Sequence, residues 1–138
     1  MFVTTHTIVA STIAIKTGNP YIYLPFAAVD HFALDTVPHF GGKWAGKNFK
    51  VLTALDATFG IGLFLILARY TKFSILILFA VCLLAGWPDL ILAYQKFINP
   101  KRLKKFGEFY AGIQKSESFP GIIIEVAIVL VCLLLIFV

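Results

Sequence analysis

A chain of 138 residues is the length of one domain. Hydrophobic residues make up 59% of it, charged residues 14%, and the mean hydropathy is +0.89, which leaves too little polar surface to cover a soluble core. The net charge of +5 falls in loops beside apolar segments, a membrane-topology pattern that speaks against nucleic-acid binding.

Cys82 and Cys132 both lie in apolar runs, and no Cys-x-x-Cys or spaced Cys/His pattern occurs. They read as small packing residues, with neither a disulfide framework nor a zinc finger indicated.

Five apolar segments follow in chain order: residues 2–15, 21–40, 51–68, 73–95 and 119–138. The first lacks the basic start of a signal peptide and is expected to be a retained, short helix. Thr17-Gly18-Asn19-Pro20 carries turn chemistry between the first two, and Gly41-Gly42-Lys43 follows the second. Arg69-Tyr70-Thr71-Lys72 divides the third from the fourth. Between the fourth and fifth, Leu103, Phe106, Phe109, Tyr110 and Ile113 recur at helical spacing with lysines among them. That predicts a surface-lying amphipathic helix around 101–115. The expected fold is therefore all-α: an integral membrane bundle of about five helices plus one interfacial helix, forming a single domain over 1–138.

Five spans would put the N-terminus and the loops at 41–50 and 96–118 on one side. That side holds Lys43, Lys47, Lys50, Lys96, Lys101, Arg102, Lys104, Lys105 and Lys115, against Lys16, Arg69 and Lys72 on the other. The positive-inside rule then predicts a cytoplasmic-membrane protein with its N-terminus in the cytoplasm. The loop lysines would contact anionic headgroups of the membrane lipid. Trp44, Tyr70, Trp87 and Tyr94, near segment ends, read as an aromatic belt.

The polar residues inside the apolar segments carry the chemistry. His6, His31 and His39 lie there, with Asp30, Asp35, Asp56, Asp89 and Glu125, and no lysine or arginine lies well within a span to neutralise them. A carboxylate alone in a low-dielectric bundle costs several kcal/mol unless it is protonated, hydrated or bound to a cation. Threaded through five spans, these groups converge on the cytoplasmic leaflet. His31, Asp35 and His39 at i, i+4 and i+8 are expected to share one helix face. Helical imidazoles one turn apart are a common metal-ligand arrangement. Pro38 and Pro88 predict kinks beside His39 and Asp89, and Asp30 falls off the stripe. Alone, each of these residues reads equally well as an interhelical hydrogen bond, Glu125 above all as a holder of the last helix.

The stretch Asp30-His-Phe-Ala-Leu-Asp-Thr-Val-Pro-His-Phe40 resembles the His-x-x-x-Asp-x-x-Pro-His signature of a small bacterial predicted membrane-bound metal-dependent hydrolase family. Thr5-His6-Thr7, Asp56 and Gly86-Trp-Pro-Asp89 are similar to further parts of its pattern. The likeness spans residues 1–115. Locally, the His-x-x-x-Asp helix also resembles ligand pairs of zinc-dependent phospholipase C and the S1/P1 nucleases. Many relatives carry a histidine where this chain has Tyr110, so a ligand is missing there unless Glu108 or Gln114 substitutes.

The resemblance implies a membrane-embedded hydrolase acting on a phosphoester or lipid-linked substrate. His6, His31, Asp35, His39, Asp56 and Asp89 would hold one or two divalent ions, zinc favoured, with Asp89 or Asp56 as general base. Two other classes stay open: a small proton or metal-ion transporter or channel, and a noncatalytic membrane scaffold.

Overall fold

The computed structural model describes residues 1–41, 46–99, 102–113 and 117–138, with the backbone alone at Phe49, Lys96 and Phe97. Lys43, Trp44, Lys101, Gln114 and Lys115 lie outside the described residues. Among the described residues the chain is all-helical. Its helices are α1 (Val3–Thr17), α2 (Pro20–Asp35), α3 (Phe49–Tyr70), α4 (Ile75–Phe97), α5 (Lys104–Ile113) and α6 (Gly121–Phe137), with a 3₁₀ turn at Gly46–Asn48.

The α1–α2 turn follows from its residues. Gly18 takes a left-handed φ of 60° and returns its N–H to the Ala14 carbonyl. Asn19 then caps α2, its side chain accepting from Tyr21 N, and Pro20 occupies the first helical position. This hairpin sets the start of α1 beside the end of α2. Helix α2 is shorter than the apolar run predicts. Pro38 disfavours helical geometry at Val37, so the helix ends at Asp35 and His39 pairs instead with Glu117 in an isolated parallel bridge.

Helix α1 is the centre of the bundle and packs on α2, α3, α4 and α6. It can do so because its buried positions Ala10, Ser11 and Ala14 are small, and small residues let helix backbones approach closely. Ala10 and Ala14 meet Tyr23 and Ala27 of α2 and Val81 and Ala85 of α4. Helix α4 continues through Pro88, which has no amide to offer the Leu84 carbonyl one turn earlier.

Two stretches, Lys50–Tyr70 and Ile75–Gln95, are long and apolar enough to cross a membrane. Only 11% and 28% of their most apolar windows are buried, less than the core helix of a soluble fold shows. Helices α1, α2 and α6, at 15, 16 and 17 residues, fall short of the ~20 residues a span ordinarily takes. Trp87, expected in an aromatic belt, lies within α4, where its indole N–H bonds the Ala28 carbonyl at 2.9 Å.

Candidate metal centre

The buried ionisable groups meet at one end of the bundle, where α1 begins and α2 ends. His6 of α1 stacks on His31 of α2, with ring centroids 3.7 Å apart and planes 13° from parallel. Asp35, one turn beyond His31 on the same face, closes the group. His6 Nε2 lies 3.3 Å from Asp35 Oδ1, and His31 Nε2 lies 3.6 Å from Asp35 Oδ2. All three side chains are fully buried. One ligand atom from each of His6, His31 and Asp35 falls within 4.8 Å of the others, so this trio could hold a metal ion.

Hydrogen bonding orients the imidazoles. His31 Nδ1 is 2.7 Å from the Ala85 carbonyl and His39 Nδ1 is 2.8 Å from the Val37 carbonyl. A carbonyl only accepts, so both Nδ1 atoms carry a proton, and both Nε2 atoms face the group. This is the usual backing for a metal-ligating histidine, whose other nitrogen donates to a carbonyl or carboxylate. His39 Nε2 lies 4.0 Å from Asp35 Oδ1. Among the described residues, neither it nor either ring nitrogen of His6 has a hydrogen-bond partner. Buried polar atoms are normally satisfied, and imidazole nitrogens left over around a carboxylate are the donor set that suits a divalent cation. The residues present fit the group.

Asp89 joins the edge of this set, its Oδ2 3.7 Å from His31 Nε2. Its side chain is 31% exposed, which gives it access that Asp35 lacks. The nitrogen of Met1 lies 3.0 Å from Asp35 Oδ1, tying the start of α1 to the end of α2.

Two predicted residues do other work. Asp56 accepts from Val3 N (2.9 Å) and Thr4 N (3.3 Å), and its own carbonyl accepts from Thr4 Oγ1. It caps α1 from a neighbouring helix, and the trio forms without it. Helix α1 has no side-chain cap of its own, and its first amides need acceptors. Glu125 serves the same end: it accepts from Phe2 N (2.8 Å), Thr5 Oγ1 (3.1 Å) and Phe40 N (2.8 Å). His39 approaches Asp35 from the segment after α2, correcting the expected three-residue helical stripe. Asp30 is buried, with no hydrogen-bond partner for either carboxyl oxygen among the described residues.

The sequence gives no sign of the Ala85 and Val37 carbonyls, since backbone acceptors leave no residue-type signal. It marks Tyr110 only as a substitution. The structure brings that side chain, 1% exposed, into the centre: its hydroxyl donates to Asp35 Oδ2 and stands 2.7 Å from His31 Nε2. Comparison with family models, curated proteins and solved structures returns no match.

Proposed function

We propose that this chain is a membrane-embedded metal-dependent hydrolase that cleaves a phosphoester or lipid-linked substrate at the cytoplasmic leaflet. The observation that carries the reading is the meeting of His6, His31 and Asp35 within 4.8 Å, with unsatisfied imidazole nitrogens beside them.

The membrane setting is supported by the outward faces of the long helices. Leu55, Phe59, Ile61 and Leu65 on α3 and Leu76 and Phe79 on α4 are each more than half exposed, as are Leu130 and Leu134 on α6. Apolar surface of that extent is not left to water. In this reading α1, α2 and α6 join the two long helices to complete a five-span bundle, their shorter apolar lengths accommodated by local thinning of the bilayer. Lys47, Lys50, Lys104 and Lys105, all exposed, belong to the loops on the side of the polar centre. Lys16, Arg69 and Lys72 belong to the opposite side. That bias favours a cytoplasmic centre and an attractive field for an anionic headgroup.

His6, His31 and Asp35 would hold the ion, with His39 at the border of the group. A divalent ion such as zinc supplies a Lewis acid and lowers the pKa of a water toward ~7. Asp89, partly open and next to His31, would serve as the general base. Asp35, fully enclosed, neutralises charge and fixes the imidazole edges. The likeness of His31-x-x-x-Asp35 and the flanking motifs to the membrane-bound hydrolase family points the same way. A transporter would need histidines and carboxylates through the depth of the bundle, whereas His6, His31, His39, Asp35 and Asp89 gather at one end.

Metal analysis of detergent-purified protein tests the reading. We expect at least one zinc per chain after reconstitution, lost in Asp35→Asn. A wild-type protein that holds no transition metal after exposure to zinc would end the hydrolase proposal.

A further inference from the structure

Helix α5 reaches the polar centre from outside the bundle through one side chain. Tyr110 threads inward between Phe32 and Phe106, at centroid distances of 6.3 and 6.1 Å. The helix itself is held by ring contacts, Phe106 on Trp87 at 5.6 Å and Phe109 on Phe32 at 6.1 Å. Its Lys104, Lys105, Glu108 and Phe109 are exposed. Leu103, which leads into it, takes a φ of 62°, a left-handed conformation that is strained for a residue with a branched side chain.

The Tyr110 hydroxyl occupies atoms that a cation would need. His31 Nδ1 is committed to the Ala85 carbonyl, so Nε2 is the nitrogen the ring can turn to a cation. The phenol oxygen stands 2.7 Å from that atom; because its own proton goes to Asp35 Oδ2, it accepts from an Nε2–H, and that proton must leave before an ion can bind there. An ion bound to a histidine nitrogen sits at ~2.0–2.1 Å from it, within the space the phenol oxygen now fills. A neutral phenol is a poor substitute ligand, because it gives up its proton only near pH ~10.

We propose that Tyr110 is a built-in competitor for the cation: docked α5 holds its hydroxyl against His31 and Asp35, and metal enters as α5 withdraws. This rests on the metal-centre reading above. It makes α5 a cover whose position and the loading of the site are coupled. The coupling is reciprocal, since whatever lifts α5 must tighten the metal and the metal must loosen α5.

The test is zinc affinity of the full-length purified chain, wild type against Tyr110→Phe. The phenyl ring keeps its packing on Phe106 and removes only the hydroxyl. Each hydrogen bond that no longer has to be broken favours binding, and we expect zinc to bind about tenfold more tightly or better. Phe106→Ala, which keeps the hydroxyl but weakens the docking of α5, should tighten zinc in the same direction by a smaller factor. In the wild type, zinc should speed amide hydrogen exchange across residues 104–113. Equal or weaker zinc binding by Tyr110→Phe overturns the proposal, as does exchange in α5 that zinc leaves unchanged. If neither wild type nor variants bind zinc, the metal centre itself is refuted, an outcome distinct from the first two.

Discussion

Replacing Glu125 with glutamine separates the scaffold of the centre from its chemistry. The carboxylate is 2% exposed and accepts three hydrogen bonds, from Phe2 N, Thr5 Oγ1 and Phe40 N. Through them it joins the start of α1, the segment after α2 and α6. Glutamine has nearly the same shape but one acceptor oxygen, and its NH₂ must face at least one of the two amides now bonded. A buried N–H left without an acceptor costs ~1–3 kcal/mol. Loss of the negative charge at the N-terminus of α1 adds ~0.5–2 kcal/mol. Glu125→Gln should therefore lose ~2–4 kcal/mol. At roughly 3–4 °C per kcal/mol for a chain of this size, thermal unfolding in detergent should drop by about 6–15 °C. Zinc per folded chain should be unchanged, because Glu125 lies outside the His6–His31–Asp35 group. A melting temperature within about 2 °C of wild type would refute the hydrogen-bond accounting. Loss of zinc with stability intact would place Glu125 among the ligands.

Asp56→Asn keeps one acceptor for the amides of Val3 and Thr4 at a partly exposed position, so it should cost only ~0.5–1.5 kcal/mol, with zinc affinity unchanged in the same titration. A fall in zinc affinity without a fall in stability would return Asp56 to the metal. Gly121→Ala should be far more damaging than its size suggests. A Cβ there would lie 2.2 Å from the carbonyl carbon of His39 and 2.4 Å from its Cα, backbone atoms that can yield only by moving the whole segment. Overpacking of this kind costs ~1–3 kcal/mol or more. Because the atoms displaced belong to His39, zinc affinity should weaken along with stability, and a variant that melts lower but binds zinc normally would show that His39 does not contribute.

Helices with a single physical cause were legible in the sequence. Apolar runs at 51–68 and 73–95 became Phe49–Tyr70 and Ile75–Phe97, and the amphipathic pattern at 101–115 became Lys104–Ile113. His31 and Asp35 share a face because four residues turn an α-helix by only ~40° beyond one turn. What failed was extending that rule through Pro38. The proline ends helical geometry, and His39 comes back toward Asp35 by a bridge to Glu117 that no local pattern encodes. Asp56 is ambiguous for a different reason. A carboxylate in an apolar helix advertises an unmet need for a partner, but residue type does not say whether that partner is a cation or the amides of a neighbouring helix. Tyr110 was noticed only for what it replaces; its contact with the centre depends on how α5 folds back over α2 and α4.

The distribution of carboxylates follows from the placement of α1. A helix that begins inside an apolar bundle brings orphan amides and the positive end of its dipole into a medium with no water to satisfy them. Phe2, without a hydrogen-bonding side chain, cannot cap it. Two acidic side chains from α3 and α6 are therefore drawn to the amides of Phe2, Val3 and Thr4, and in anchoring them they fix the depth of His6, one turn further on. That leaves Asp35 enclosed by imidazoles and Asp89 half-open at their edge. The acidic residues thus divide into those that hold α1 and those that face the site. The first group should move stability and leave metal content alone, while Asp35 should govern metal content. That separation follows from what the carboxylates face: helical amides at Asp56 and Glu125, imidazoles at Asp35.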